Sequence, residues 1–375
     1  MYSIFYLCIT FSSLFVIFNK RYNKYIQNLY LFIIINIILI FFLLNDITAD
    51  SFYYNSIFLH DYFLGFQRQG YDTFFYYFAH LISLFQNKKI ADYLLCFLFI
   101  YSLYFFSKKF INPVHIVIMF FPYTLVAVMQ GFPRQAWALM LIIIACNLIF
   151  YLTEKKQNKS SNQEILKIYI FLIMLFSVFF HYSAILFFFI YVFYLITLLN
   201  RKLIFLSFCL ILFIIAALHY KFNIFHVFFE KLRLMSDFLS TREEDYSIKG
   251  FISRFTIIFF PALLILVNYF KNFKNKKIIF SPIDKFFVLS SIIYIFFSLF
   301  TLIFQNYLLV LDRLNIYFFL IKIYFFGRFI FFSFFSKKIQ KLLIFVSIIY
   351  LNFYLILWVL YSRSYYEFKY NFSLF

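Results

Sequence analysis

Three arginines, Arg134, Arg254 and Arg313, each stand where a polar stretch gives way to a long apolar one, and Arg68 and Arg242 lie within polar stretches. Lysine would supply mere positive charge equally well. A guanidinium adds a planar fork that grips a phosphate through two parallel hydrogen bonds, so arginines in such places point to an anion site. Around Arg134 the sequence reads Gly131-Phe132-Pro133-Arg134-Gln135-x-x-Ala138, a turn followed by a helix start. The free amides of that start add their own attraction for a negative group.

Two further patterns carry acid–base chemistry. Gly70-x-Asp72-x-x-x-Tyr76 places a carboxylate and a phenol one helical turn apart on one face, where they could hold a sugar hydroxyl. Asp72 could equally cap the helix that follows it. His181, in Phe179-Phe180-His181-Tyr182-Ser183-Ala184, interrupts an unbroken apolar run. An imidazole so placed either bonds a backbone carbonyl or faces a cavity, where it could act as a general base near neutral pH. Glu243-Glu244-Asp245 reads as an exposed acidic turn rather than a cation site. No H-E-x-x-H, G-x-S-x-G, Walker loop or His/Cys cluster is present, so no cofactor and no metal is expected.

The elements that position these residues follow from composition. Of 375 residues 65% are hydrophobic and 13% charged, where soluble domains run at roughly 45–50% and 25%. A soluble globule, a disordered chain and a fibrous repeat are excluded. The 27% aromatic content, beside abundant Ile, Lys and Asn and only 5 Gly, reflects coding bias rather than an aromatic function. Cys8, Cys96, Cys146 and Cys209 lie in apolar runs without paired spacing and read as reduced packing residues. The fold class is therefore an all-α polytopic membrane protein forming a single membrane domain over 1–375.

Windows of about 20 apolar residues fall near 2–18, 28–44, 90–106, 112–128, 136–152, 167–180, 183–199, 203–219, 255–270, 284–304, 314–332 and 342–360. That predicts about twelve spans, with ten to thirteen allowed by the window length. One tilted helix and a re-entrant segment could instead share 167–199. Residues 2–17 read as a first span rather than a cleavable leader.

One set of connections is rich in lysine, among them Lys108, Lys109, Lys155, Lys156, Lys276 and Lys277, against only Glu154, Glu164 and Asp284. By the positive-inside rule that set is cytoplasmic, which accounts for the net charge of +19 without nucleic acid. The opposite side then holds the long loops 45–89 and 220–254, four of the glycines (Gly65, Gly70, Gly131, Gly250) and seven of the ten arginines. The plain alternative for any one arginine is that it reaches out to lipid phosphates. The segments 73–87 and 222–239 suit interfacial helices that could roof a cavity on that side.

Taken together, Gly70-x-Asp72-x-x-x-Tyr76, Arg134-Gln135-x-x-Ala138, Phe180-His181-x-Ser183-Ala184 and Asp312-Arg313 resemble the EpsG-like and Wzy-type polysaccharide polymerases of bacterial inner membranes. The resemblance implies metal-independent glycosyl transfer at the periplasmic face, with polyprenyl-pyrophosphate-linked oligosaccharides as donor and acceptor within the lipid bilayer. It casts Arg134, Arg254, Arg313 and Arg68 as the pyrophosphate grip, His181 or Asp72 as the base, and Tyr76, Gln135 and Arg242 as substrate contacts. A chain-length regulator protein is a possible partner. The rivals are a flippase for lipid-linked oligosaccharide, which should show related halves and cavity charges reachable from both sides, and a membrane acyltransferase fed from the cytoplasm.

Overall fold

The computed structural model describes residues 2–18, 24–44, 89–121, 124–125, 133–154, 162–198, 248–275, 281–303, 308–332 and 335–361. Among them every regular element is helical. Hydrocarbon offers no hydrogen-bond partner, so a backbone within it must close its own N–H···O=C bonds, and a helix does this within one segment. In order these are α1 (Tyr2–Phe18), α2 (Lys24–Leu44), α3 (Lys89–Ser107), α4 (Pro113–Phe120), α5 (Pro133–Glu154), α6 (Asn162–Phe180) and α7 (Ile185–Leu198). They continue as α8 (Ile248–Asn275), α9 (Pro282–Ile303), α10 (Leu308–Tyr324) and α11 (Lys337–Tyr361), with a π-helical turn Phe325–Phe329 after α10.

Four stretches are long and apolar enough to cross a membrane: Tyr25–Leu43, Arg134–Thr153, Gln163–Phe180 and Pro282–Leu299. Tyr93–Ser107, Ile185–Ile196 and Phe255–Lys271 are shorter apolar helices. Large apolar side chains stay exposed along α2 (Leu29, Phe32, Ile33, Ile37, Ile40) and α6 (Ile168, Tyr169, Leu172, Phe176, Phe179), as a face meant for lipid requires. The expected span 203–219 lies outside the described residues. Within 167–199 the chain breaks at His181 and a 3₁₀ turn, Tyr182–Ala184, so two helices occupy the stretch. α8 begins at Ile248 and α10 at Leu308, several residues before the boundaries the apolar windows suggest, because propensity carries a helix past the edge of its apolar core.

The described chain forms two compact units, Met1–Ala184 with Ile323–Phe375, and Ile185–Lys322. In the first, α5 packs on α6 and α3, α3 packs on α2, and α4 touches α1, α2, α3, α11 and the π turn. Pro113 opens α4 at a position that needs no backbone donor, and all eight of its residues are buried. His115 Nε2 meets Ser347 Oγ at 3.1 Å, joining α4 to α11. Phe106, Phe110 and Phe150 meet edge to face, with centroids 4.9, 6.0 and 5.3 Å apart. The Arg328 guanidinium lies 5.9 Å from the Phe150 ring centre.

Gly327 explains the π turn's close seat. A Cβ there would come within 2.5 Å of both Ile116 Cδ1 and Phe110 Cδ1, and Ile111 N–H donates to the Gly327 carbonyl at 3.4 Å. Glycine is what permits this approach.

The second unit is held by α9 packed between α8 and α7. Phe187 on α7 meets Phe286 on α9 and Phe318 on α10, at 6.4 and 5.2 Å between ring centres. α9 is capped by its own acid: Asp284 Oδ2 accepts from Ser281 N–H at 2.9 Å and from Ser281 Oγ at 2.5 Å. Buried serines return their hydroxyls to the backbone one turn back, as in Ser290 to the Phe286 carbonyl (2.9 Å) and Ser298 to the Tyr294 carbonyl (2.7 Å).

Gly327→Val should strain the contact with Ile116 and Phe110 and destabilise the first unit by about 1–3 kcal/mol. Thermal unfolding in detergent reads this directly. An unchanged midpoint would mean the turn is not seated as closely as the geometry states.

Candidate functional site

α5 starts at Pro133, so Arg134 and Gln135 fall in its first turn. α6 ends at Phe180. His181 keeps one last helical bond to the Ser177 carbonyl (3.2 Å), and its own carbonyl accepts from Ala184 N–H at 2.9 Å, which turns the chain. α5 lies against α6, and its first turns are packed, with Ala136 and Ala138 fully buried. Beside them Trp137 stacks on Phe180 with centroids 5.5 Å apart and planes 14° from parallel. Such a pair adds roughly 0.5–1.5 kcal/mol beyond its burial, and it fixes the start of α5 against the end of α6.

That fixture brings two distant pieces of sequence to one place. Gln135 Nε2 lies 3.5 Å from His181 Nε2, and His181 Nδ1 is hydrogen-bonded to Ser183 Oγ. With the amide donating to Nε2, the neutral ring carries its proton on Nδ1 and gives it to the serine hydroxyl. The tautomer is assigned from this network. Gln135 is 6% exposed and its Oε1 has no hydrogen-bond partner. His181, Ser183 and Arg134 are half-buried. The site therefore presents an imidazole oriented through Nδ1, with its Nε2 in a long contact with the Gln135 amide at the start of α5. An incoming hydroxyl could displace the amide from Nε2 and deliver its proton there.

Of the other residues singled out by sequence, Arg254 lies in the second turn of α8 and Arg313 in the second turn of α10. Their helices are described, their side chains are not. Asp72, Tyr76, Arg68 and Arg242 lie outside the described residues, as do 73–87, 222–239 and Glu243-Glu244-Asp245. Arg134 thus lies in the first turn of its helix, where free backbone amides would add to its attraction for an anion, while Arg254 and Arg313 lie one turn further in.

The chain matches the EpsG family over residues 29–372, which is most of its length. It belongs to the EpsG family. No curated protein and no solved structure matches it. The family comprises polysaccharide polymerase-like membrane proteins, and so this EpsG-family chain is a multi-pass, glycosyltransferase-like polymerase of polysaccharide biosynthesis acting on lipid-linked glycan.

Sequence reasoning passed over one residue of the same kind as His181. Lys322 sits in the apolar run of α10, is buried, and its Nζ has no hydrogen-bond partner. The signal was available: an ionisable side chain within an apolar stretch.

Gln135→Leu keeps the volume of the side chain and deletes the amide. Because it also removes a buried oxygen without a partner, unfolding in detergent should occur at or above the wild-type temperature. Glycan chain growth should fall. Full growth with this variant would reduce Gln135 to packing.

Proposed function

We propose that the chain polymerises polyprenyl-pyrophosphate-linked oligosaccharide repeat units at the periplasmic face of the bacterial inner membrane, spanning it about twelve times by the length of its apolar windows. The observation that carries this reading is the meeting of Gln135 with the Ser183-oriented imidazole of His181, the Arg134 guanidinium being borne on the adjoining residue of the same helix start. Glycosyl transfer from a diphosphate needs those two groups and little more.

In the step proposed, a hydroxyl of the acceptor sugar attacks C1 of the donor. The new C1–O bond forms as the bond to the diphosphate breaks, and the electron pair leaves on the diphosphate oxygen. The hydroxyl proton passes to a base, His181 Nε2 or the Asp72 carboxylate. Ser183 holds Nδ1 so that Nε2 points at the reaction. Arg134, Arg254, Arg313 and Arg68 receive the leaving diphosphate, whose charge grows as the bond breaks. Arginines aimed there stabilise the transition state more than the ground state, which raises the rate rather than only the affinity. The charge is met by guanidinium groups and helix starts, so the reaction calls for no metal. Tyr76, Gln135 and Arg242 are assigned to the sugar, and a chain-length regulator would act from outside this site.

Arg134→Ala, Arg254→Ala and Arg313→Ala should each abolish chain growth while leaving the amount of membrane-inserted protein unchanged. Arg→Lys at the same positions should also fail where the two-pronged grip matters, and wild-type chain lengths from the alanine variants would refute the clamp. In a deletion strain, gel profiles of surface glycan should show one repeat per lipid anchor. Loss of all glycan would instead mark the chain as a flippase.

A further inference from the structure

Lys322 is 1% exposed, makes no hydrogen bond through Nζ, and rests that nitrogen 4.7 Å from the centre of the Phe319 ring. Seven residues earlier, two turns back and on the same side of α10, Asn315 is fully buried. Tyr294 Oη donates to Asn315 Oδ1 at 3.0 Å and lies 3.4 Å from the Phe255 carbonyl. This turns the amide oxygen toward the tyrosine and leaves Asn315 Nδ2 without a partner. Among the described side chains of the second unit the single acid is Asp284, already bonded to Ser281.

Both orphaned groups on this stripe are donors. What would complete them is a cluster of acceptor oxygens, and the amine selects a negatively charged one. Leaving an amine buried and unpaired is costly, whereas methionine would fill the same space without that cost. Lys322 is therefore retained against stability, which is the mark of a group kept for a ligand. Its unbranched four-carbon stem lets the nitrogen move while the stem stays packed, and the Phe319 face holds the ammonium that a bound anion would favour.

We infer that Lys322 and Asn315 form a binding stripe for a phosphate or diphosphate ester, with Lys322 Nζ pairing a phosphate oxygen and Asn315 Nδ2 donating to another. This deepens the function proposed above and takes the diphosphate-carrying lipid from it. The site itself adds a lysine and an amide, on one face of α10, to the arginines at helix starts.

The test uses the full-length protein in detergent, unfolded by heat with and without two probes, inorganic pyrophosphate and geranylgeranyl diphosphate. Wild type should be stabilised by the prenyl diphosphate. Lys322→Met should unfold no lower than wild type without ligand, yet bind the prenyl diphosphate roughly ten- to a hundredfold more weakly. Equal stabilisation of wild type by pyrophosphate would show that the site reads the diphosphate alone, and a response confined to the prenyl form that it reads the lipid as well. The inference is overturned by a Lys322→Met protein that fails to fold or unfolds well below wild type, since the lysine is then structural. It is equally overturned by unchanged binding in that variant, or by a wild type that responds to neither probe. Weakened binding alongside normal glycan in a deletion strain would keep this site and remove the polymerase reading.

Discussion

A chain embedded in hydrocarbon has no water to satisfy a polar atom, so each one must find its partner within the protein or be left at a cost of several kcal/mol. Most of the structure obeys this by the shortest route. Ser290, Ser298, Ser102 and Ser177 return their hydroxyls to carbonyls three or four residues back. Tyr294 finds Asn315, and His115 finds Ser347 across two helices. Among the described residues the buried atoms without partners include Thr10 Oγ1, Thr124 Oγ1, Asn147 Oδ1, Gln135 Oε1, Asn315 Nδ2 and Lys322 Nζ. Gln135, Asn315 and Lys322 are the large side chains among them, fully or nearly buried and replaceable by apolar side chains of similar volume.

The contact between α5 and α6 is what turns this constraint into a site. The near-parallel stack of Trp137 on Phe180 fixes the start of α5 against the end of α6. Phe180 is the last residue of α6 and His181 the first beyond it. The imidazole is consequently placed by packing rather than by a loop. Ser183, two residues on in the 3₁₀ turn, takes Nδ1, and Gln135 reaches Nε2 from the facing helix. The order of causes runs from an aromatic stack, to helices held together, to an oriented ring.

The sequence reveals the kinds of residue better than their pairings. His181 is legible because one imidazole in an apolar run is costly, and Arg134 because Pro133 marks a helix start. That Gln135 and His181 meet is not legible. α5 and α6 are apolar nearly all round, so no hydrophobic stripe names the face that packs. Gly327 shows the opposite limit. Four glycines in polar stretches look selective by position, while the fifth, within α10's apolar continuation, has its reason only in Ile116 and Phe110, which lie more than two hundred residues earlier in the chain. Lys322 carried the same signal as His181 but was absorbed into the length of a predicted span. The starts of α8 and α10 fall before the apolar windows, because a hydropathy window sees where the apolar core begins, whereas a helix begins where its backbone can.

Those earlier helix starts bear on the chemistry. With α8 opening at Ile248 and α10 at Leu308, Arg254 and Arg313 lie inside helices, as Arg134 does in α5. A guanidinium on a loop must be ordered before it can grip a phosphate, and that ordering consumes part of the binding energy. Carried on a helix it starts from a fixed backbone, and in the first turn, as at Arg134, free amides would act on an anion as well. Neither contribution has to be reorganised when charge moves onto a departing diphosphate, which is the condition under which electrostatic groups accelerate a reaction instead of only binding its substrate.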